Sequence, residues 1–124
     1  MIYGIGADIV EIARVSRLLE RYGERFSGKI LSETEHTAGR HNADAAYVAK
    51  RFAAKEAFAK ALGTGIRHPA VWRRISVTHG PLGNPRLAFD PELENWMAER
   101  GVTRHHLSLA DEKTFACAFV ILES

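Results

Sequence analysis

The sequence predicts an α+β fold in which an antiparallel sheet packs against one long helix and several shorter ones. Three observations carry that expectation. Apolar residues recur at helical spacings of three and four through most of the first half. Short apolar runs of strand character dominate the second half, and compact turns join them, a connection that suits antiparallel neighbours.

Residues 2 to 7, IYGIGA, read as a short apolar strand whose two glycines suit close backbone packing. DIVEIARVSRLLERYGERF then switches to helical periodicity, which places Asp8 at a strand-to-helix junction. Val15, Leu18, Leu19, Tyr22 and Phe26 form the expected buried stripe of that helix. Ser32-Glu33-Thr34-Glu35 matches a capping box and starts a short second helix, and Asn42 is positioned to cap a long one through DAAYVAKRFAAKEAFAKAL, stopped by Gly63. RISVT and RLAF flank the turn GPLGNP as a hairpin. Asp90 then caps a helix with Pro91 at its first position and Gly101 at the end of ELENWMAERG. HHLSLA and TFACAFVIL are strands joined by DEK, the second apolar enough to be covered on both faces.

Composition bounds the rest. Hydrophobic residues at 46% and charged residues at 26% are ordinary for a globular chain, and 124 residues suit one domain spanning 1 to 124. No repeat and no low-complexity tract is visible. MIYGIGADIV lacks the basic flank, long apolar core and cleavage site of a secretory signal, and no apolar run approaches bilayer-spanning length, so the expected location is cytoplasmic, without a membrane partner. The lone Cys117 cannot form an internal disulfide, and its apolar surroundings suggest a buried, inert thiol. A formal charge of +2 is too small for a generic nucleic-acid binder. Twelve of the seventeen cations are arginine, which suits local contacts with phosphate or carboxylate.

Gly4-Ile5-Gly6 sits where a dinucleotide fingerprint would begin, but position 9, the place of the third glycine, is isoleucine. Asp8 would point at the spot where such proteins place pyrophosphate, and two anions need a cation to share a site, so Asp8 is either a metal ligand or a helix cap. Arg51, Lys55, Glu56 and Lys60 lie on the long helix, where Glu56 and Lys60 stand one turn apart on one face. They read as a solvated ion pair or as the wall of a cleft; alanines 49, 53, 54, 57, 59 and 61 thin the helix enough for close approach. Gly63-Thr64-Gly65 follows the helix, whereas a phosphate-cradling loop must precede one. Arg14, Arg17, Arg21 and Arg25 form a basic stripe, either a solvated face partly neutralised by Glu20 and Glu24 or a docking surface. His36 and His41 stand five apart and His105 and His106 face opposite ways, which argues against zinc. His106 shares its face with Ser108, as phosphate donors or as ordinary half-buried strand residues.

Four ordered blocks, GIGADIVEIARV, AKRFAAKEAFAKALGTGI, GNPRL and HLSLADEKTFACAFVILES, span essentially the whole chain. In them the sequence resembles the holo-[acyl-carrier-protein] synthases, the short bacterial type of 4′-phosphopantetheinyl transferase. The resemblance implies transfer of the phosphopantetheine arm of coenzyme A to a serine of apo-acyl carrier protein, with release of 3′,5′-ADP, in support of fatty acid biosynthesis. It implies magnesium held by Asp8 and Glu56 together with pyrophosphate oxygens and water, and a homotrimer with sites in clefts between subunits. By position, Arg51 and Lys60 match residues engaging coenzyme A phosphates, with Gly63, Gly65, Pro85 and His106 in the same coenzyme-binding set. Lys60 joins Asp8 and Glu56 in the catalytic set. Arg14 matches an arginine that contacts the carrier, with Arg21 beside it. Asn84 and Asp111 depart from the lysine and histidine of many relatives. The attacking serine would belong to the carrier, so no nucleophilic triad is needed here; Glu56, metal-bound water or Lys60 are the candidates to take its proton. The competing reading is a non-catalytic module that binds carrier protein or nucleotide. The larger sibling transferases resemble two fused copies of this fold, and this chain is too short for that.

Overall fold

The computed structural model describes residues 1–37 and 44–124. In chain order they form β1 (Ile2–Glu11), α1 (Ile12–Tyr22), α2 (Glu24–Ile30), α3 (Glu33–Thr37), α4 (Ala45–Leu62), a 3-10 turn (Trp72–Arg74), β2 (Ile75–His79), β3 (Pro85–Phe89), α5 (Pro91–Glu99), β4 (Arg104–Asp111) and β5 (Phe115–Glu123). The α+β class is as expected. One antiparallel sheet has the order β1-β5-β4, and β2-β3 form a separate hairpin.

Helix α4 lies across the inner face of the larger sheet, and glycine sets how close it comes. A Cβ added to Gly4 would sit 1.9 Å from the Ala61 carbonyl oxygen, and one on Gly6 would sit 1.9 Å from that of Ala57. Both neighbours are backbone atoms, which cannot swing aside, so any side chain at either position forces strand and helix apart. Ala53, Ala57 and Ala61 complete the thin face of the helix against Ala116, Ala118, Val120 and Leu122 of β5, all buried.

The caps explain where the helices begin and end. Ser32 and Glu35 form the expected reciprocal box: the Ser32 amide donates to Glu35 Oε1 at 2.9 Å and the Glu35 amide to Ser32 Oγ at 3.3 Å. Asp44 starts α4 by accepting from the amides of Ala46 and Tyr47. The cap expected at Asn42 lies outside the described residues. Gly63, at φ 89°, stops the helix in the left-handed region. Asp90 accepts from the Leu93 amide at 3.0 Å, with Pro91 opening α5.

Three expectations need correction. Strand β1 does not end at residue 7: its pairing with β5 continues to Glu11 opposite Phe115, so Asp8 lies inside a strand, opposite Ala118, and caps no helix. The stripe expected from Val15 to Phe26 is broken at Gly23, whose φ of 54° separates α1 from α2; Val15 is buried, Leu18, Leu19 and Phe26 are half-buried, and Tyr22 is exposed. Strand β5 is covered on one face only, so Cys117, expected to be buried, is exposed. Its side chain projects to the face opposite α4, with Phe115 and Phe119.

Candidate active site

Along β1 positions Gly4, Gly6, Asp8 and Val10 share the face turned to α4. The two glycines draw the strand onto the helix, and Asp8 arrives where α4 presents Lys60 and, one turn earlier, Glu56. Lys60 Nζ donates to Asp8 Oδ1 and to the Ala7 carbonyl oxygen, each at 3.0 Å. The Asp8 side chain is largely buried, while that of Lys60 stays half open to solvent.

Glu56 completes the group. Burial holds its carboxyl above the ordinary carboxylate range, and the negative charge of Asp8 pushes the same way. The Trp72 indole N–H, which approaches without meeting hydrogen-bond geometry, and the Lys60 ammonium oppose that shift. Two carboxylates beside a single ammonium, one of them held above its ordinary range partly by the charge of the other, form a site short of positive charge.

No group of three or more histidine, cysteine or carboxylate side chains suited to a metal occurs among the described residues. Two hard oxygen donors from Asp8 and Glu56 fit a magnesium ion, which commonly takes one or two carboxylates and completes its shell with water and substrate phosphate. An open cavity of about 350 Å³ adjoins this point; Asp8, Lys60, Ser108, Cys117 and Phe119 are among its lining residues.

The other expected residues divide. Arg51 is buried, with its guanidinium 3.6 Å from the centre of the Tyr47 ring and Nη1 on the Tyr47 carbonyl; its Nε is buried with no hydrogen-bond partner among the described residues. It therefore lies on Tyr47 and not on the Asp8–Glu56 pair. His106 shares its face with Ser108, as read from the sequence, but that is the outer face of the sheet, away from α4, and its Nε2 pairs with Glu123 Oε1. Arg104 holds the other Glu123 oxygen at 2.8 Å, and the two partners draw the Glu123 carboxyl below its ordinary range. Gly63 and Gly65 shape the loop after α4 with φ of 89° and 67°, and Pro85 opens β3 opposite His79. Arg14 and Arg21 are exposed on α1. Arg21 and Arg25 lie 5.4 and 5.7 Å from the centre of the Tyr22 ring, which gives that exposed tyrosine its role as a shelf for the basic stripe.

Sequence reasoning missed three features. Trp72 stacks on Phe52 with ring centres 6.1 Å apart and faces Glu56. Phe52 stands four residues before Glu56, a helical-face signal that was available. Asp111 pairs with Lys50 at 3.5 Å. Lys55, grouped by composition with the other charges of α4, is fully buried and bonded to Glu35 at 2.6 Å. Burial pushes its ammonium down to about 8, against the opposing pull of Glu35.

A helix laid on an antiparallel sheet, with two carboxylates and a lysine meeting at the seam, defines an α+β domain whose charged groups converge from distant parts of the chain. The chain belongs to the 4′-phosphopantetheinyl transferase superfamily, whose family model matches residues 4–120. It is 56% identical over 124 residues to a holo-[acyl-carrier-protein] synthase of Nitrosospira multiformis, with 99% of each chain covered. Its fold is similar to the crystal structure of holo-[acyl-carrier-protein] synthase from Neisseria meningitidis, with a TM-score of 0.91 and 45% identity over the whole of both chains. It is also similar to the Helicobacter pylori holo-[acyl-carrier-protein] synthase in complex with coenzyme A, with a TM-score of 0.84 and 28% identity over 96% of this chain and 99% of that one.

Proposed function

We propose that this chain transfers the 4′-phosphopantetheine arm of coenzyme A to a serine of apo-acyl carrier protein and releases 3′,5′-ADP, in support of fatty acid biosynthesis. One observation carries the reading: the charge of Asp8 reaches Glu56, 48 positions away in sequence, across the seam of β1 and α4, where Lys60 of the helix is bonded to Asp8 of the strand. Relatives named holo-[acyl-carrier-protein] synthase and a neighbour solved with coenzyme A support the substrate pair.

Asp8 and Glu56 would hold the magnesium ion, which when bound neutralises charge on the pyrophosphate as the phosphoryl group moves. The carrier serine Oγ forms a bond to the β-phosphorus of coenzyme A while the bond from that phosphorus to the bridging oxygen breaks, leaving 3′,5′-ADP. Lys60, solvent-accessible and anchored on Asp8 and the Ala7 carbonyl, would offer its third proton to a phosphate oxygen. Glu56 would accept the serine proton through the carboxylate oxygen not turned to the cation. Trp72 and Phe52 cover the flank of that carboxyl.

Arg14 and Arg21 project from α1 as the docking row for an acidic carrier surface. The outer face of the β1-β5-β4 sheet, with Ile5, Ile9, Phe115 and Phe119 open to solvent, supports assembly of the single domain into a homotrimer. Neighbouring copies would then bring residues of that face, His106 among them, toward one another's sites. No helix among the described residues is long and apolar enough to cross a membrane, and the proposed workplace is the cytoplasm.

The deciding experiment incubates the protein with apo-carrier, coenzyme A and magnesium and follows the intact mass of the carrier. A gain equal to the phosphopantetheine arm is expected. An unchanged carrier mass would leave only a binding module.

A further inference from the structure

The transfer chemistry above makes no use of the buried Lys55–Glu35 pair. Lys55 Nζ is sealed from solvent and donates to Glu35 Oε1 and to the Ile30 carbonyl oxygen, each at 2.6 Å. Glu35 in turn accepts from the Ser32 amide at 2.9 Å through Oε1 and from the Val77 amide at 2.8 Å through Oε2. Ser76 Oγ donates to Ser32 Oγ at 2.6 Å. One lysine on α4 is thus bonded to the last residue of α2 and, through Glu35, to α3 and the backbone of β2.

Stability alone does not account for such a pair. Withdrawing two charges from water is so costly that well-packed apolar side chains of the same volume often stabilise a fold as well or better. What an apolar pair lacks is direction, since hydrogen bonds at this length have narrow angular tolerance.

Direction matters here because Glu56 is the next residue. A helix turns about 100° per residue, so rotation of α4 about its axis carries Glu56 with it. The contact of Gly4 and Gly6 with Ala57 and Ala61 limits how near β1 and α4 come, but small residues on a smooth helix resist rolling poorly. Lys55 ties α4 to a different set of elements, α2, α3 and β2.

We propose that the Lys55–Glu35 pair is a positioning device that fixes the rotation of α4 and so keeps the Glu56 carboxyl turned to Asp8. The role rests on Glu56 belonging to the transfer site, as argued above.

The test compares wild type, Glu56→Gln, Glu35→Gln and the double variant Glu35→Leu with Lys55→Met, all as full chains, by thermal melts and by steady-state transfer from coenzyme A to apo-carrier. The apolar double variant also leaves the Ser32 and Val77 amides and the Ile30 carbonyl without their partners, so it is expected to melt below wild type while still folding cooperatively, with kcat down roughly tenfold or more and the KM for carrier unchanged, since α1 is untouched. Glu35→Gln keeps the shape and removes the charge, and a smaller fall in kcat at unchanged KM is expected; it decides the matter should the double variant fail to fold. Wild-type kcat in the folded double variant, or in Glu35→Gln, overturns the positioning role, and so does a general loss in which kcat falls and both KM values rise together. Glu56→Gln separates the two levels of the reading. Full turnover there sinks the assignment of Glu56 itself, whereas a dead Glu56→Gln beside fully active pair variants sinks only the positioning.

Discussion

The two faces of the β1-β5-β4 sheet come from the same alternating strands, yet they end in opposite surroundings. Toward α4, Ala116, Ala118, Val120 and Leu122 are buried within the chain; away from it, Ile9 remains 66% exposed and Phe119 47%. The inner face is small and tight because a helix must come close, while the outer face carries bulky apolar groups that nothing in one chain covers. Folding and the association proposed above thus fall to opposite side-chain parities, and a shift of one residue in register would exchange them. A large apolar patch left open on a folded chain marks a place for a partner.

The harshest way to break this contrast is on the inner face. Gly6→Val drives a branched side chain into the Ala57 carbonyl, and a loss on the order of 4 kcal/mol or more is expected, seen as absence of a cooperative melt by circular dichroism. A melt like that of wild type would mean strand and helix do not meet as described. Next, Asp8→Ala leaves the fold standing but should lower turnover by more than about 100-fold, since even outer partners of metal ligands are worth roughly 10 to 100-fold. Wild-type turnover would remove the metal assignment.

On the outer face, Phe119→Glu should separate the copies into monomers by light scattering while each chain keeps its helical signal, and transfer should fall with assembly. An unchanged particle mass would show that this face is not the contact. Arg14→Glu lies off the sheet and tests whether docking is separate from both faces. The KM for carrier should rise about tenfold with coenzyme A binding unchanged, and an unchanged KM would unseat the basic stripe as the docking row.

The smallest effect concerns pH. Glu56 has a folded proton affinity above the ordinary value near 4.5, so the folded state holds its proton longer than the unfolded chain does. Its contribution is therefore intact below that value and is lost as pH rises through the folded pKa. With chelator present, Glu56→Gln should melt like wild type at pH 4 and slightly above it at pH 7. A lower melting point at pH 7 would show that the carboxylate is welcome there without a cation.

Much of this layout was legible in the residues themselves. Helix α4, the hairpin, α5 and the last two strands follow from periodicity and caps such as Asp90, and the capping box at Ser32 and Glu35 formed as read. Helical spacing put Glu56 and Lys60 on one face, whereas the pairing of Asp8 with Glu56 came from the family resemblance alone. What failed depended on distant partners. DIVE satisfies helix and strand patterns alike, and its strand state is decided by pairing with residues 115–118. Cys117 was judged by its sequence neighbours, although burial of alternate residues is set by what covers each face. His106 was assigned donors for phosphate without sight of Glu123, which register places beside it. Lys55 looked like one more surface cation because Glu35 lies 20 positions earlier and no local pattern joins them.

Gly4 and Gly6 carry a consequence for anyone reshaping this protein. Where main chain rests on main chain, the spacing of β1 and α4 is a property of the polymer, insensitive to the identity of most side chains around it. Replacements in the loop after α4 and in the hairpin, the segments expected to contact the donor, then carry little risk of drawing strand and helix apart. The same feature closes the opposite route: widening the seam to admit a bulkier group requires moving a whole strand, which no single replacement on the helix can do.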